Sequence, residues 1–246
     1  MPFRRPLVLA ALALTAAAPA WGAPVGGLAP PEDAAAKRPG GPGGLAPPED
    51  AAAKRPAAYT LDPAAGAVYV QVFKDPTTLG SGLSHDHVIR ATGWTGSVTW
   101  DPADPGACRV SMTVPVKQLQ ADAPEMRRKV GYTNTLDDGQ RADVTEHMLG
   151  PDQLDAAKHP NITFSATKCE GSGSTVNVTG NFTMHGVTRT ITAPFSISAD
   201  GGKLAAKGTF RLNQTDFGFQ PYSALLGQLK NKNEVAFTID VVGAKG

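Results

Sequence analysis

Residues 175–197 read TVNVTGNFTMHGVTRTITAPFSI. In the first half Val176, Val178, Phe182 and Met184 alternate with Asn177, Thr179, Asn181 and Thr183. In the second half Ile191, Ala193, Phe195 and Ile197 alternate with threonines and serines. A period of two places one set on each face of an extended chain, so each half is a strand with one apolar face. His185 and Gly186 stand between the halves and read as the turn of a β-hairpin.

The same alternation recurs along the chain. Val68, Val70 and Val72 alternate with Tyr69, Gln71 and Phe73, and Phe210 and Leu212 alternate with Thr209 and Arg211. A last strand carries Val235, Phe237, Ile239 and Val241. With the segments near 92–100, 108–116 and 162–167 the count is about eight strands, the number at which a closed barrel either fills with side chains or holds one small ligand. The expected fold is all-β, an eight-stranded antiparallel barrel over residues 59–246. Two stretches break the pattern: 142–158 should hold short helical turns, and 223–230 (SALLGQLK) could form another. A membrane-spanning barrel would need an apolar outer band between aromatic girdles, and aromatics are only 7% here. The apolar face therefore points inward.

Ahead of the barrel, residues 1–22 have the layout of a secretory signal peptide: Arg4 and Arg5, an apolar run from Leu7 to Ala18, then small residues at Ala20 and Gly22. Residues 23–58 contain GGLAPPEDAAAKRP twice, at 26–39 and at 43–56. So rich in Pro, Gly and Ala, the segment offers no core to offset its ordering entropy and should be a disordered linker. Export implies a periplasmic or secreted protein with no membrane span after processing.

The net charge of +1 and the dispersal of basic residues among acidic ones argue against nucleic acid as a partner. Export also exposes the two cysteines, Cys108 and Cys169, to oxidation. Strand parity opposes a bridge, because Cys108 shares parity with the apolar Val110, Met112 and Val114, whereas Cys169 shares it with the polar Thr163, Ser165 and Thr167. Both lie at strand ends, where a bulge switches parity, so a disulfide and two independent thiols both stay open.

No nucleophile elbow, paired acid motif or glycine-rich phosphate loop is present, and Asp137 with Asp138 reads as a solvated turn before Gly139, so no enzyme activity and no cofactor are expected. His85, Asp86 and His87 form the one constellation with chemical potential. Two imidazoles do not make a zinc site, and His147, His159 and His185 lie in other segments without ligand spacing. These three residues are expected to touch a ligand head group, with metal binding as the alternative use.

Four stretches carry a resemblance: YTLDP at 59–63, ADVTEHMLGPDQLDAAKHPNITF at 142–164, FTMHGVTRTIT at 182–192 and LNQTDFGF at 212–219. In these the chain resembles the YceI family of periplasmic, lipocalin-like proteins. The resemblance implies a lipocalin-like barrel with a helical insertion that binds polyisoprenoid chains such as those of isoprenoid quinones. The inward positions it implies are Phe164, Phe182, Met184, Phe210, Phe217 and Phe237. The apolar lumen expected from alternation adds Val70, Val72, Met112, Val114, Ile191 and Phe195. Two departures bear on the head group. Gln214 stands where the family usually has arginine, which removes a fixed charge, and the stretch LSHDHVIRA at 83–91 departs from the family's pattern. The expected partner is a lipid-like small molecule; a metal-linked or stress-related role using His85 and His87, or a barrel scaffold without ligand, are the competing readings. Oligomeric state is left open, a dimer included.

Overall fold

The computed structural model describes residues 56–246; the expected signal peptide, and the linker up to residue 55, lie outside the described residues. Twelve strands and two α-helices follow in order: β1 (Ala57–Leu61), β2 (Ala67–Lys74), β3 (His87–Ala91), β4 (Thr95–Trp100), β5 (Arg109–Pro115), β6 (Leu119–Ala121), α1 (Pro124–Lys129), α2 (Asp138–Leu149), β7 (Asn161–Ser172), β8 (Thr175–Met184), β9 (Val187–Asp200), β10 (Lys203–Asn213), β11 (Ser223–Ala224) and β12 (Leu229–Lys245).

Twelve segments make eight barrel strands. β11 pairs only with β12, and three barrel strands are each broken once by a corner. At one level β12, β1, β4 and β5 are neighbours, and at the other level β12, β2, β3 and β6 are, so β1/β2, β3/β4 and β5/β6 are single interrupted strands. The 17-residue β12 closes the barrel by pairing with both halves of the first strand, Gly243 with Leu61 and Ile239 with Val68. Every pairing is antiparallel. The corners lie side by side: a side chain at Gly66 would run into the carbonyl of Asp240 and the buried ring of Trp94, and Thr92 donates its backbone N–H to the carbonyl of Gln118. Sequence alternation finds only one half of each interrupted strand, β2, β4 and β5, and misses β1, β3 and β6.

The quoted hairpin forms as read. Met184 pairs with Val187, and His185 (φ 52°) and Gly186 (φ 72°) both take the left-handed conformation that a two-residue turn between twisted strands requires. The helical insertion is one continuous twelve-residue helix, α2 over 138–149, which starts and ends earlier than the span 142–158 expected for short helical turns. Asp137 is exposed, as expected of a solvated residue, but it is the N-cap of that helix rather than part of a turn. Its carboxylate accepts from the Gln140 backbone at 2.8 Å, while the Gln140 side chain accepts from the Asp137 backbone at 3.0 Å. In residues 223–230 the expected helical turn is a single 3-10 turn, Leu225–Gly227.

Two gaps in the ladder decide where the interior stays open. The β9–β10 pairing ends at Phe195 and Gly208, and beyond it the 3-10 turn Gln214–Phe217 folds against both strands. On the opposite side β6 has no pairing to β7, and α2 lies against it instead.

Candidate apolar cavity

The barrel is solid at one end and hollow at the other. At the closed end Tyr59, Leu61, Trp94, Trp100, Val176, Leu204 and Val241 pack into one buried cluster together with Cys108 and Cys169. These cysteines form a disulfide, with Cα atoms 6.1 Å apart. A bulge between Ala166 and Lys168 inserts one residue into β7 and turns Cys169 to the inner face, opposite Val178. Parity is switched there, as the bridge needed.

At the other end a cavity of about 390 Å³ opens. Its wall is one register layer of the barrel: Met112 pairs with Phe164, Phe164 with Phe182, Phe210 with Phe237, Phe237 with Val70, and Val70 with Ile89. Phe210 and Phe237 stack with centroids 5.1 Å apart and planes 5° apart, and Phe182 meets Phe237 edge-on at 5.7 Å. Val144, His147 and Met148 from α2 complete the wall, with His87, Asp143, Gln153, Gln214, Tyr222 and Asn231 among its polar groups. Among the described residues no lysine or arginine lines the cavity.

Nine of the twelve expected lumen positions line this cavity: Val70, Val72, Met112, Val114, Phe164, Phe182, Met184, Phe210 and Phe237. The other three are placed elsewhere. Phe195 covers Gly208 across the β9–β10 ladder, where an added Cβ would come within 2.7 Å of the ring, and so belongs to the packed half. Phe217 is fully buried with its ring 5.5 Å from that of Phe182, plugging the gap between β9 and β10. Ile191, on the same splayed end of β9, packs with that plug. Alternation alone does not reveal where a ladder stops, and these three corrections share that cause.

Of the expected head-group residues, only His87 lines the cavity. Asp86 is turned away, its carboxylate accepting from the Lys74 backbone at 2.9 Å. His85 precedes β3, and its Nδ1 accepts from Asn134 Nδ2 at 2.7 Å. Burial above all, and then positive side chains nearby such as Arg127 and Lys74, push the His85 imidazole below its ordinary range. The two rings are therefore tied to different partners. Among the described residues no group of three His, Cys, Asp or Glu side chains is placed to hold a metal ion.

Sequence reasoning missed the partner of His87. Asp122 is fully buried at the end of β6, in the left-handed conformation (φ 52°) that Asp tolerates better than most residues. One carboxylate oxygen meets His87 Nδ1 at 2.6 Å; the other accepts from Arg127 Nη1 at 2.6 Å and from the Val88 backbone at 3.1 Å. Burial alone would raise the Asp122 carboxyl, but the His87 contact, the Val88 N–H and the Arg127 guanidinium together hold it below its usual range. Arg127, itself 3% exposed, also donates to the carbonyls of Asp86 and Asn134. The signal available in sequence was Pro124 followed by Glu125 and a basic last turn, the layout of a short helix that carries Arg127 back over the strand.

No helix among the described residues is long and apolar enough to cross a membrane. The barrel resembles the crystal structure of Burkholderia cenocepacia BcnA, with a TM-score of 0.56 and 18% identity over 74% of this chain and 98% of that one. It also resembles the crystal structure of the Campylobacter jejuni YceI protein, with a TM-score of 0.50 and 17% identity over 64% of this chain and 84% of that one. In sequence, a UPF0312 protein of Pseudomonas putida (strain GB-1) is 30% identical over 132 residues, 51% of this chain and 59% of that protein. A UPF0312 protein of Pseudomonas paraeruginosa (strain DSM 24068 / PA7) is 26% identical over 137 residues, 53% of this chain and 62% of that protein. The matches thus span about three-fifths of the length of these curated relatives. A family model, described as the YceI-like domain, matches residues 59–243, and over that span this chain belongs to the YceI-like family.

Proposed function

We propose that this protein is an exported carrier that shields an elongated apolar ligand, a polyisoprenoid or isoprenoid quinone, inside its barrel. The observation that carries the reading is the cavity wall: aromatic and branched side chains around about 390 Å³, within the ~300–1,000 Å³ range of small-molecule sites. Apolar surface moved out of water contributes about 25 cal/mol per Å², so a hydrocarbon chain needs no charged anchor to bind there. The Cys108–Cys169 disulfide supports an oxidising compartment, periplasmic or extracellular. Nothing in this reading requires catalysis or a bound cofactor; the lipid is the ligand itself.

The test is mass spectrometry of an organic extract from protein purified without detergent. An isoprenoid lipid in near-stoichiometric amount is the expected result. Protein that carries none, and that neither takes up added prenol nor is stabilised by it, would leave a barrel scaffold without a ligand.

A further inference from the structure

We propose that His87 forms a hydroxyl-selecting subsite, its Nε2 accepting a hydrogen bond from the neutral alcohol, phenol or hydroquinone end of the chain that the cavity holds. The inference rests on the carrier reading and adds the chemistry of the polar end.

Three observations carry it. The first is orientation. His87 lines the cavity, its Nδ1 is held by Asp122 at 2.6 Å, and its Nε2 has no hydrogen-bond partner among the described residues. The second is the direction of that bond. Asp122 already accepts from Arg127 and from the Val88 backbone, and an ionised carboxylate can only accept. Nδ1 therefore carries the hydrogen, and in the neutral ring Nε2 is left with a lone pair toward the cavity. A lone pair suits a ligand O–H and rejects a bare carbonyl or ether oxygen.

The third observation concerns charge. Among the described residues no lysine or arginine lines the cavity, and the guanidinium that holds Asp122, that of Arg127, is buried with its donors directed to Asp122, Asp86 and Asn134. Gln214, at the cavity wall, is neutral and donates to the Lys232 carbonyl at 2.8 Å. Asp143 adds an acid instead. Such a wall disfavours a carboxylate or phosphate end and tolerates a neutral hydroxyl.

The test uses the purified full-length chain and four ligands with one hydrocarbon: geranylgeraniol, its methyl ether, geranylgeranial and geranylgeranoic acid. Each displaces a fluorescent apolar reporter. The alcohol should bind about three- to tenfold tighter than the ether, the size of one net hydrogen bond, and the acid more weakly than the alcohol. His87→Leu should bring the alcohol-to-ether ratio to about one. Asp122→Asn should do more than weaken binding. Arg127 and the Val88 amide keep the oxygen of the new amide, so its nitrogen faces His87 Nδ1 and the ring hydrogen moves to Nε2. The preference then passes from the alcohol to the aldehyde. An acid that binds tightest, an alcohol no tighter than its ether, or an alcohol preference that survives His87→Leu would each overturn the subsite while leaving the carrier intact. Failure of all four ligands to bind would remove both. Should Asp122→Asn not fold, the His87→Leu ratio decides alone.

Discussion

Cys108 and Cys169 are joined across the closed end of the barrel from residues 61 apart in sequence, each only 4% exposed. The bond ties the start of β5 to the middle of β7, where the tightly packed cluster begins. Closing a loop of that length restricts the unfolded chain and contributes roughly 4 kcal/mol. Replacing both cysteines with alanine should lower the denaturation midpoint accordingly. Reductant should lower the melting temperature of the natural chain and leave the variant's unchanged; equal melting of both proteins under oxidising conditions would contradict the contribution.

That bridge also shows how far residue patterns reach. Alternation in β8 and β9 was enough to identify a strand, its apolar face and the His185–Gly186 turn, because each is decided within a few residues. The inward turn of Cys169 depends on a one-residue bulge at 166–168, a matter of pairing between strands that no local pattern carries. Phe195, which alternation places in the lumen, and Phe217, which the resemblance places there, meet the same limit: whether a ring lines a void or fills a gap depends on where β9 leaves β10. The Asp122–His87 contact spans 35 residues and was invisible for a different reason: a buried ion pair follows from tertiary placement, and Asp122 in sequence looks like any acid before a proline-capped turn.

Ala91 is the small residue of the cavity wall, and enlarging it separates ligand binding from folding. Ala91→Phe would place a ring in the void. Ligand affinity should fall at least tenfold, while stability without ligand should hold or rise, since filling an apolar cavity recovers contacts at ~24 cal/mol per Å³ of void. Reporter displacement and a thermal melt on the same preparation check both halves. Unchanged affinity would mean that the ligand lies elsewhere.

Asp122 makes stability depend on acid. Its folded-state carboxyl lies below the ordinary value of about 3.9, so the native state favours the charged form more than the unfolded chain does. The contribution is therefore present in full well above that value and is lost as pH falls below it, through the folded value. Asp122→Asn removes the dependence and leaves Arg127 buried without its counter-charge, at a cost of roughly 3–5 kcal/mol at neutral pH. Urea midpoints of the two proteins should differ most near pH 7 and begin to converge once pH falls below about 3.9. A constant difference across that range would show that the carboxylate charge is not what the fold uses.

The helix that lies over the open end of the barrel is held by its cap. No residue of α2 is fully buried, its packing on the buried cluster comes from Met148 and Leu149 at the C-terminal end, and a twelve-residue helix is marginal by itself. What stabilises its first turn is the reciprocal pair between Asp137 and Gln140. Asp137→Ala should cost about 1 kcal/mol. The loss should stay local, because the barrel strands do not depend on α2 for their pairing. Hydrogen exchange should therefore quicken about fivefold at the backbone amides of residues 138–145, with the β8 and β12 amides unchanged. Val144, His147 and Met148 line the cavity from this helix, so a bound chain should also leave faster, by a similar factor. Asp137→Asn retains a capping oxygen and should restore both rates. Faster exchange without faster release would make α2 a passive cover, with the ligand leaving by another route.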